Sequence, residues 1–263
     1  MLVLAFDTAT AAVTVALYEW TPGEGARRRA ATEAVDRRAH TELLVPSVAA
    51  VLAEAGAAPG DLSAIAVGVG PGPYTGLRVG LVTARAMGDA LGVPVHGVCT
   101  LDAIAWASGR DEPFAVAIDA RRKEVYWARY ASAREPATGP AVGPPADVRA
   151  GLPPGLPVIG EGAALYPDVL GTPDDPPGGP SGGPRFAPVR PAGSHLGGDP
   201  QTPVAPSGGP RFAPVRPTGS ALAELVVARL SGEPGPDLLP PEPLYLRRPD
   251  AKEPGPRKKV SPR

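Results

Sequence analysis

Apolar residues in the N-terminal part of the chain follow two periods. Short apolar runs predict strands at residues 2–6, 13–18, 64–69 and 92–98, with a weaker candidate at 30–35. Apolar residues three and four apart predict amphipathic helices over 40–56, 76–91 and 100–108. Strands mixed with helices in this way indicate an α/β fold.

A glycine-proline loop, Gly70-Pro71-Gly72-Pro73, joins strand 64–69 to helix 76–91. Along that helix Gly80, Ala84 and Gly88 recur at every fourth position and form a stripe of small residues on one face. The stripe would allow another helix to approach closely. The free N–H groups at the helix start would instead suit an anion. The sequence leaves both interpretations open.

The strand pattern of the N-terminus returns near the middle of the chain. Residues 115–130 align with residues 3–18 without a gap, and the identical pairs include Asp7/Asp119, Ala16/Ala128 and Tyr18/Tyr130. Each copy reads as a strand ending in Asp, a tight polar turn and a return strand. We therefore predict two related halves, each starting with a β-hairpin, with a cleft between two lobes.

The second half is less regular. Residues 131–157 read as loop, 158–162 as a short strand and turn, 165–170 as a short helix, and 219–231 as a longer helix. These elements predict an N-terminal lobe at 1–110 and a C-terminal lobe built from 111–170 plus 218–251.

Two segments read as lying outside the packed lobes. Residues 171–217 are rich in Pro and Gly and contain the 12-residue sequence PSGGPRFAPVRP twice, at 180–191 and 206–217. We predict a disordered, dispensable insertion, although the repeated Arg-Phe pair could be a partner-binding motif. Residues 252–263 form a basic tail for which solvation or weak phosphate contact is expected.

Composition narrows the class of protein. The formal net charge is -1, which gives no overall bias toward nucleic acid. The single cysteine, Cys99, excludes a disulfide framework within the chain and suits a reducing compartment. No apolar run reaches the ~18 residues of a membrane span, and the N-terminus reads as a strand and not as a signal peptide. A cytoplasmic protein with no membrane partner is expected.

Five motifs together resemble the TsaB (YeaZ) family. They are FDTAT at 6–10, HTELLVP at 40–46, GPGPYTGLR at 70–78, IDARRKEVYW at 118–127 and PLYLR at 243–247. The family belongs to the bacterial machinery that places a threonylcarbamoyl group on the adenosine beside the tRNA anticodon. The resemblance covers 1–130, more loosely 158–170, and 219–251. The GPGPYTGLR segment has a cognate in the catalytic relative TsaD.

The resemblance implies a fold and a role. The fold is the two-lobed actin-like/Hsp70-like ATPase (ASKHA) fold, with twisted mixed sheets and flanking helices. The role is a non-catalytic scaffold that pairs with TsaD, helps recruit the ATPase TsaE and reaches tRNA through the complex. A homodimer on the same surface is also compatible. No tightly bound cofactor is expected, although ATP or ADP can bind at the complex interface.

The resemblance also locates the partner surface on helices 40–56 and 76–91, which carry surplus apolar residues such as Val45 and Val82. The predicted interface residues are His40, Leu43, Leu44, Val48, Val51, Leu77, Gly80, Leu81, Ala84 and Gly88. The alternative is that these residues pack against the protein's own sheet.

A nucleotide site is the second candidate. Its residues would be Asp7, Thr8, Thr10, Gly70, Gly72 and Asp119. In working members of the superfamily the Asp-bearing turns bind phosphates and metal. A working site of this kind would make this chain an autonomous ATPase or small-molecule kinase. Here Ala9 stands where a kinase has Gly, and basic residues follow Asp119. The alternative is that the bends are structural, with Asp capping backbone N–H groups.

No catalytic or metal residues are predicted. The catalytic relative binds metal through two histidines four apart on a helix, whereas the residue four after His40 is Leu44. Cys99 has no base nearby in sequence and reads as a buried apolar residue. The Gly-x-Ser-x-Gly match at 179–183 lies in the Pro/Gly-rich segment and lacks the strand and helix of a nucleophile elbow. A peptidase therefore has no support in the residues.

Overall fold

The computed structural model describes residues 1–36, 40–171 and 216–247. The predicted basic tail and nearly all of the predicted Pro/Gly-rich insertion lie outside these ranges. Among the described residues no helix is both long enough and apolar enough to cross a membrane.

The first sheet contains five strands in the order β3-β2-β1-β4-β5. The strands are β1 (Leu2–Asp7), β2 (Ala12–Thr21), β3 (Gly25–Val35), β4 (Ala64–Gly70) and β5 (Val95–Cys99). β2 runs antiparallel to both of its neighbours, β1 and β3, whereas β4 and β5 run parallel to β1. The ends of β1 and β4 therefore meet at the same edge of the sheet.

Helices cover both faces of this sheet. On one face α1 (His40–Ala55) and α2 (Tyr74–Leu91) share a core cluster with Leu4 and Phe6. On the other face α3 (Thr100–Ser108) and α7 (Gly219–Leu230) share a cluster with Val3 and Ala5. Successive β1 side chains point to opposite faces, so burial on both sides explains why β1 is a continuous apolar run.

The second sheet has the strand order β10-β6-β7-β8, and β9 also pairs with β7. Its strands are β6 (Phe114–Asp119), β7 (Val125–Ser132), β8 (Glu135–Pro136), β9 (Ala141–Gly143) and β10 (Val158–Ile159). Three short helices pack on one face: α4 (Pro145–Gly151), α5 (Glu161–Leu165) and α6 (Pro167–Leu170). Helix α3 packs on the other face and so lies between the two sheets.

The repeated hairpin is confirmed. Strands β6 and β7 pair antiparallel, as β1 and β2 do, and each sheet adds a parallel strand beside the first strand of its hairpin. Asp7 pairs with Thr14, whereas Asp119 pairs with Val125, so the second turn is one residue shorter.

Three sequence expectations were wrong in detail. Residues 131–157 are not a loop, because they contain β8, β9 and α4. Strand β3 starts at Gly25, well before the predicted residue 30, since its exposed arginines can still pair with β2 at the sheet edge. The predicted helix 165–170 is two short helices that meet at Tyr166.

The C-terminal segment returns to both sheets. Leu239 exchanges two backbone hydrogen bonds with Gly97 of β5, of 2.7 and 2.8 Å. The Leu244 N–H donates to the Val69 oxygen of β4 at 2.8 Å. Farther on, Arg247 Nη1 donates to the Ala120 oxygen at 2.8 Å, beyond the end of β6. This segment therefore connects the end of the first sheet to the hairpin of the second.

Candidate functional site

The bend after β1 is held by its own acid. Asp7 is fully buried; its Oδ1 accepts a 2.7 Å hydrogen bond from the Ala9 N–H, and its Oδ2 accepts one of 2.9 Å from the Thr100 hydroxyl. Both carboxylate oxygens are thus engaged within the chain. This geometry is the structural alternative given above, in which Asp caps backbone groups at the bend.

Burial also changes the acidity of this carboxyl group. Desolvation raises the pKa of Asp7 from 3.8 to about 6, partly offset by the hydrogen bonds from Ala9 and Thr100, which favour the charged form. Near pH 7 Asp7 is therefore ionised, but at a cost in stability.

The glycines of α2 and its preceding loop lie against the same bend. A Cβ on Gly76 would overlap the main-chain oxygen of Thr8, and one on Gly80 would lie 2.5 Å from the Thr8 hydroxyl. Similarly, a Cβ on Gly72 would overlap the oxygen of Ala9. The Thr8 hydroxyl donates to the Gly76 oxygen at 2.8 Å. The glycines thus let α2 approach its own hairpin closely.

His40 connects α1 to the bend. Its Nε2 lies 2.8 Å from the main-chain oxygen of Thr10. Because that oxygen can only accept, the hydrogen bond requires the tautomer in which Nε2 carries the proton. Four residues later Leu44 is fully buried in the core. Among the described residues no group of His, Cys, Asp and Glu side chains could hold a metal ion.

The second bend is built differently. Asp119 Oδ1 accepts a 2.8 Å hydrogen bond from the Arg121 N–H, and its other oxygen pairs with the Arg121 guanidinium at 3.4 Å. A small cleft runs between the two bends, and its lining includes Thr10, Pro73, Asp119, Arg121 and Glu161. Glu161 in turn pairs with Arg216 at 3.7 Å. The structure therefore brings Thr10 and Asp119 to one cleft, while Asp7, Thr8, Gly70 and Gly72 are buried beside it.

Most of the residues predicted at a partner interface are not on the surface. The small-residue stripe packs on the protein's own sheet and loops, because Gly80 meets Thr8 and Gly88 meets Val95. The following predicted residues are buried in the chain's own core: Leu44, Val48, Val51, Leu77, Gly80, Leu81, Ala84 and Gly88. His40 and Leu43 are half-buried. The stripe is thus corrected from a docking surface to an internal contact.

The outward sides of α1 and α2 carry a different apolar surface, which we call the outer helical face. Its residues follow each other at four-residue spacing on each helix: Val45, Ala49 and Ala53 on α1, and Val82, Ala86 and Ala90 on α2. All are exposed, Val45 to 60% and Val82 to 65%. Both helices bury their opposite sides in one core cluster, so these rows point away from the sheet together.

Cys99 is buried, and desolvation together with Asp102 raises the pKa of its thiol well above the ordinary value. A protonated, inaccessible thiol is not a nucleophile. Asp102 is half-buried and accepts a 2.7 Å hydrogen bond from the Tyr130 hydroxyl. These groups join α3 to β7 and do not open onto the cleft.

Comparison with known proteins places this geometry in a family. A family model described as "TsaD: tRNA N6-adenosine threonylcarbamoyltransferase" matches residues 33–169, just over half of the chain. Escherichia coli (strain K12) tRNA threonylcarbamoyladenosine biosynthesis protein TsaB is 39% identical over 133 residues, covering 49% of this chain and 55% of that protein. The chain belongs to the TsaB/YeaZ family.

Other relatives agree with this assignment. An uncharacterized protein of Mycobacterium tuberculosis (strain H37Rv) is 48% identical over 166 residues, 62% of this chain and 75% of that protein. A crystal structure from Pseudomonas aeruginosa, described as an uncharacterized protein with similarity to peptidase YeaZ, superposes with a TM-score of 0.63 and 29% identity. It covers 94% of this chain and 99% of that one. The chain spans from about a third to three quarters of the length of the mycobacterial relatives it matches.

The fold predicted from the resemblance is confirmed. Two mixed sheets, each with an antiparallel hairpin next to a parallel strand and with helices on its faces, form the ASKHA-type α/β fold of the TsaB/YeaZ family. Within the TsaB/YeaZ fold, sequence analysis missed one exposed cluster, Tyr74 and Arg78 of α2 with Tyr245 of the C-terminal segment. The sequence did contain a signal for this cluster, because each of the motifs GPGPYTGLR and PLYLR contains both Tyr and Arg.

Proposed function

We propose that this protein acts in tRNA threonylcarbamoyladenosine biosynthesis as a non-catalytic subunit that pairs with a TsaD-type catalytic subunit. The outer helical face is the observation that carries the proposal. It presents valines and alanines on two adjacent helices, and small side chains allow the helices of a partner to approach closely. The names of the TsaB relatives supply the pathway.

The two bends support a role without chemistry of its own. Asp7 directs both oxygens to groups of its own chain, and Asp119 is paired with Arg121. The catalytic subunit would then hold the metal and transfer the threonylcarbamoyl group, while this chain orders the complex, helps recruit the ATPase TsaE and brings the complex to tRNA. ATP or ADP would bind where the cleft between the bends meets the partner.

The pairing test uses a charge on the outer helical face. Val82→Arg should abolish co-purification with the TsaD homologue, because burying an unpaired guanidinium at an apolar interface is costly. Val169→Arg is the matched control, since this valine is exposed on α6 beside the second sheet. Equal pairing by Val82→Arg and the wild-type protein would refute the proposed interface.

The functional test reconstitutes the modification. TsaD, TsaE, tRNA and threonylcarbamoyl-adenylate are incubated with and without this chain, and modified nucleoside is measured by mass spectrometry. We expect product only when the chain is present, and none with Val82→Arg. If product forms equally without the chain, the scaffold role is wrong. The alternative, an autonomous ATPase or small-molecule kinase, then requires ATP binding by the isolated protein that is lost in Asp7→Ala.

The same face could join two copies of this chain before the partner arrives. Sedimentation of the free protein distinguishes the two arrangements: a homodimer dissociated by Val82→Arg would show that self-association and pairing use one surface.

A further inference from the structure

The turn between β6 and β7 has an unusual backbone. Arg121, Arg122 and Lys123 all adopt left-handed conformations, with φ of 61°, 55° and 61°. Non-glycine residues rarely adopt such angles, and three in succession carry a conformational cost that glycine would avoid. All three side chains are exposed. The turn thus presents three adjacent basic groups at positions where glycines would form the same turn with less backbone strain.

The turn is also fixed on both sides. Asp119 accepts a hydrogen bond from the Arg121 N–H, and the Glu124 N–H donates to the Arg121 oxygen at 3.0 Å. Arg247 of the C-terminal segment donates to the Ala120 oxygen and pairs with Glu124. The basic groups are therefore held on a rigid frame, which lowers the entropic cost of binding a ligand.

A pair of exposed aromatic rings lies at the start of α2, next to Pro73 of the cleft. The rings of Tyr74 and Tyr245 stack with centroids 5.0 Å apart, and the Arg78 guanidinium lies 3.9 Å from the Tyr74 centroid. Arg78 Nε also donates to the Tyr245 hydroxyl at 3.3 Å. Tyr74 remains 45% exposed and Tyr245 39% exposed.

The two groups are linked through the cleft and through the C-terminal segment. Pro73, which precedes Tyr74, lines the same cleft as Arg121. Tyr245 is two residues from Arg247, which contacts the basic turn. The nearby carboxylates of Asp119 and Glu124 are each ion-paired with an arginine. We call this area the tyrosine–arginine surface, composed of Tyr74, Arg78, Arg121, Arg122, Lys123 and Tyr245.

We propose that the tyrosine–arginine surface binds RNA directly. The basic turn would contact phosphates, and an unstacked base would stack on the exposed parts of the tyrosine rings, as is typical of single-stranded RNA recognition. An acidic protein segment would satisfy the charges but not use paired aromatic rings beside a guanidinium. The choice of a tRNA anticodon loop as the RNA rests on the proposed function, which it deepens.

The test measures binding of a fluorescent anticodon stem-loop RNA to the isolated full chain at several KCl concentrations. The double variant Arg122→Glu/Lys123→Glu should bind about tenfold more weakly and show a shallower slope of log affinity against log salt, lower by about 1.5 because two phosphate contacts are lost. Tyr245→Ala should weaken binding at least about fivefold with an unchanged slope, because stacking is not a charge effect. The basic tail is present in every variant and so contributes equally.

The matched control is Arg27→Glu/Arg28→Glu on β3. These exposed arginines lie at the edge of the first sheet where β1 begins, because Glu19 of β2 pairs with Leu2 on one side and with Arg27 on the other. Tyr74 follows the end of β4, which runs parallel to β1, and so lies at the opposite edge of the sheet. The control should bind RNA within about twofold of wild type, because these two arginines lie outside the proposed surface and their loss removes no phosphate contact there.

Three results would overturn the RNA proposal. They are no binding up to about 100 µM at low salt, equal losses in the control and the double variant, or competition by polyglutamate as strong as that by unlabelled RNA. The proposed function is judged separately through Val82→Arg. A chain that pairs normally but fails the RNA test refutes only the surface, and a chain that binds RNA but does not pair refutes only the scaffold.

Discussion

The hydroxyl of Thr8 donates a 2.8 Å hydrogen bond to the main-chain oxygen of Gly76, joining the bend after β1 to the first turn of α2. The first turns of α2 pack directly on this bend, and the glycines at positions 76 and 80 make the close approach possible. The contact thus ties two of the motifs recognised in the sequence, FDTAT and GPGPYTGLR, to the stability of the fold.

Gly76→Ala should therefore destabilise the protein, although alanine normally favours a helix. The new Cβ would overlap the Thr8 oxygen, and relieving that overlap should cost about 1–3 kcal/mol of unfolding free energy in urea denaturation. Gly151→Ala is the control, because Gly151 ends α4 with open space around it and should be neutral or slightly stabilising. Equal stability of both variants would contradict the packing described for α2.

Asp7→Asn should change how stability depends on pH. The pKa of Asp7 is about 6 in the folded protein and 3.8 in the unfolded chain, so the folded state binds the proton more tightly. The Asp7 contribution to stability is then complete below about pH 4 and is lost as pH rises through 6. Asn cannot ionise, so the stability of the variant relative to wild type should increase over this window by up to about 3 kcal/mol.

Urea denaturation at pH 4, 5, 6 and 7 measures this difference. Thr100→Val provides a second check, because loss of its hydrogen bond to the Asp7 carboxylate should raise the pKa further and move the window to higher pH. A constant stability difference between Asp7→Asn and wild type across the range would show that Asp7 does not titrate as described.

Tyr130→Phe should destabilise the protein more at pH 8 than at pH 5. Desolvation raises the pKa of Asp102 to about 6, while the hydrogen bond from the Tyr130 hydroxyl favours its charged form. Removing the donor leaves a half-buried carboxylate under-satisfied when it is ionised, at a cost of about 1 kcal/mol. Thermal denaturation at the two pH values tests this, and an equal effect at both would argue against the coupling.

Gly97→Ala should release the C-terminal segment. A Cβ at this position would lie 2.6 Å from the Pro240 oxygen, so the two hydrogen bonds between Gly97 and Leu239 could not both persist. Amide exchange at Leu244, whose N–H donates to Val69, should become at least about tenfold faster as the segment opens locally. In Gly143→Ala, where the nearest atom is 3.8 Å away, Leu244 should exchange at the wild-type rate.

The variants Ala84→Trp and Val82→Arg distinguish packing inside the monomer from pairing with the partner subunit. Ala84 is fully buried and Val82 is 65% exposed, although only one residue lies between them on α2. Ala84→Trp should destabilise the monomer by at least about 1–3 kcal/mol, because the core has no volume for an indole ring. Val82→Arg should leave the thermal midpoint within about 2 °C of wild type. A stable Ala84→Trp protein would contradict the burial of the stripe.

The sequence by itself determined the repeated hairpin, the three helices within residues 40–108 and the family. Short apolar runs and four-residue spacing are local signals, and Asp7 and Asp119 occupy matching positions because the repeat preserves them. It did not reveal which side of α2 is buried. Gly80, Ala84 and Gly88 suit contact with a partner helix and with the chain's own bend equally well, since a small side chain permits either approach.

Only the tertiary structure decided that question, because the position of Thr8 beneath α2 depends on strand order and not on local pattern. The same holds for Tyr74 and Tyr245, which are far apart in the chain and meet only when the C-terminal segment crosses β5 and β4. Periodicity reports how a residue relates to its neighbours in sequence. Contacts between distant segments follow from the packing of whole elements, which no single stretch of sequence contains.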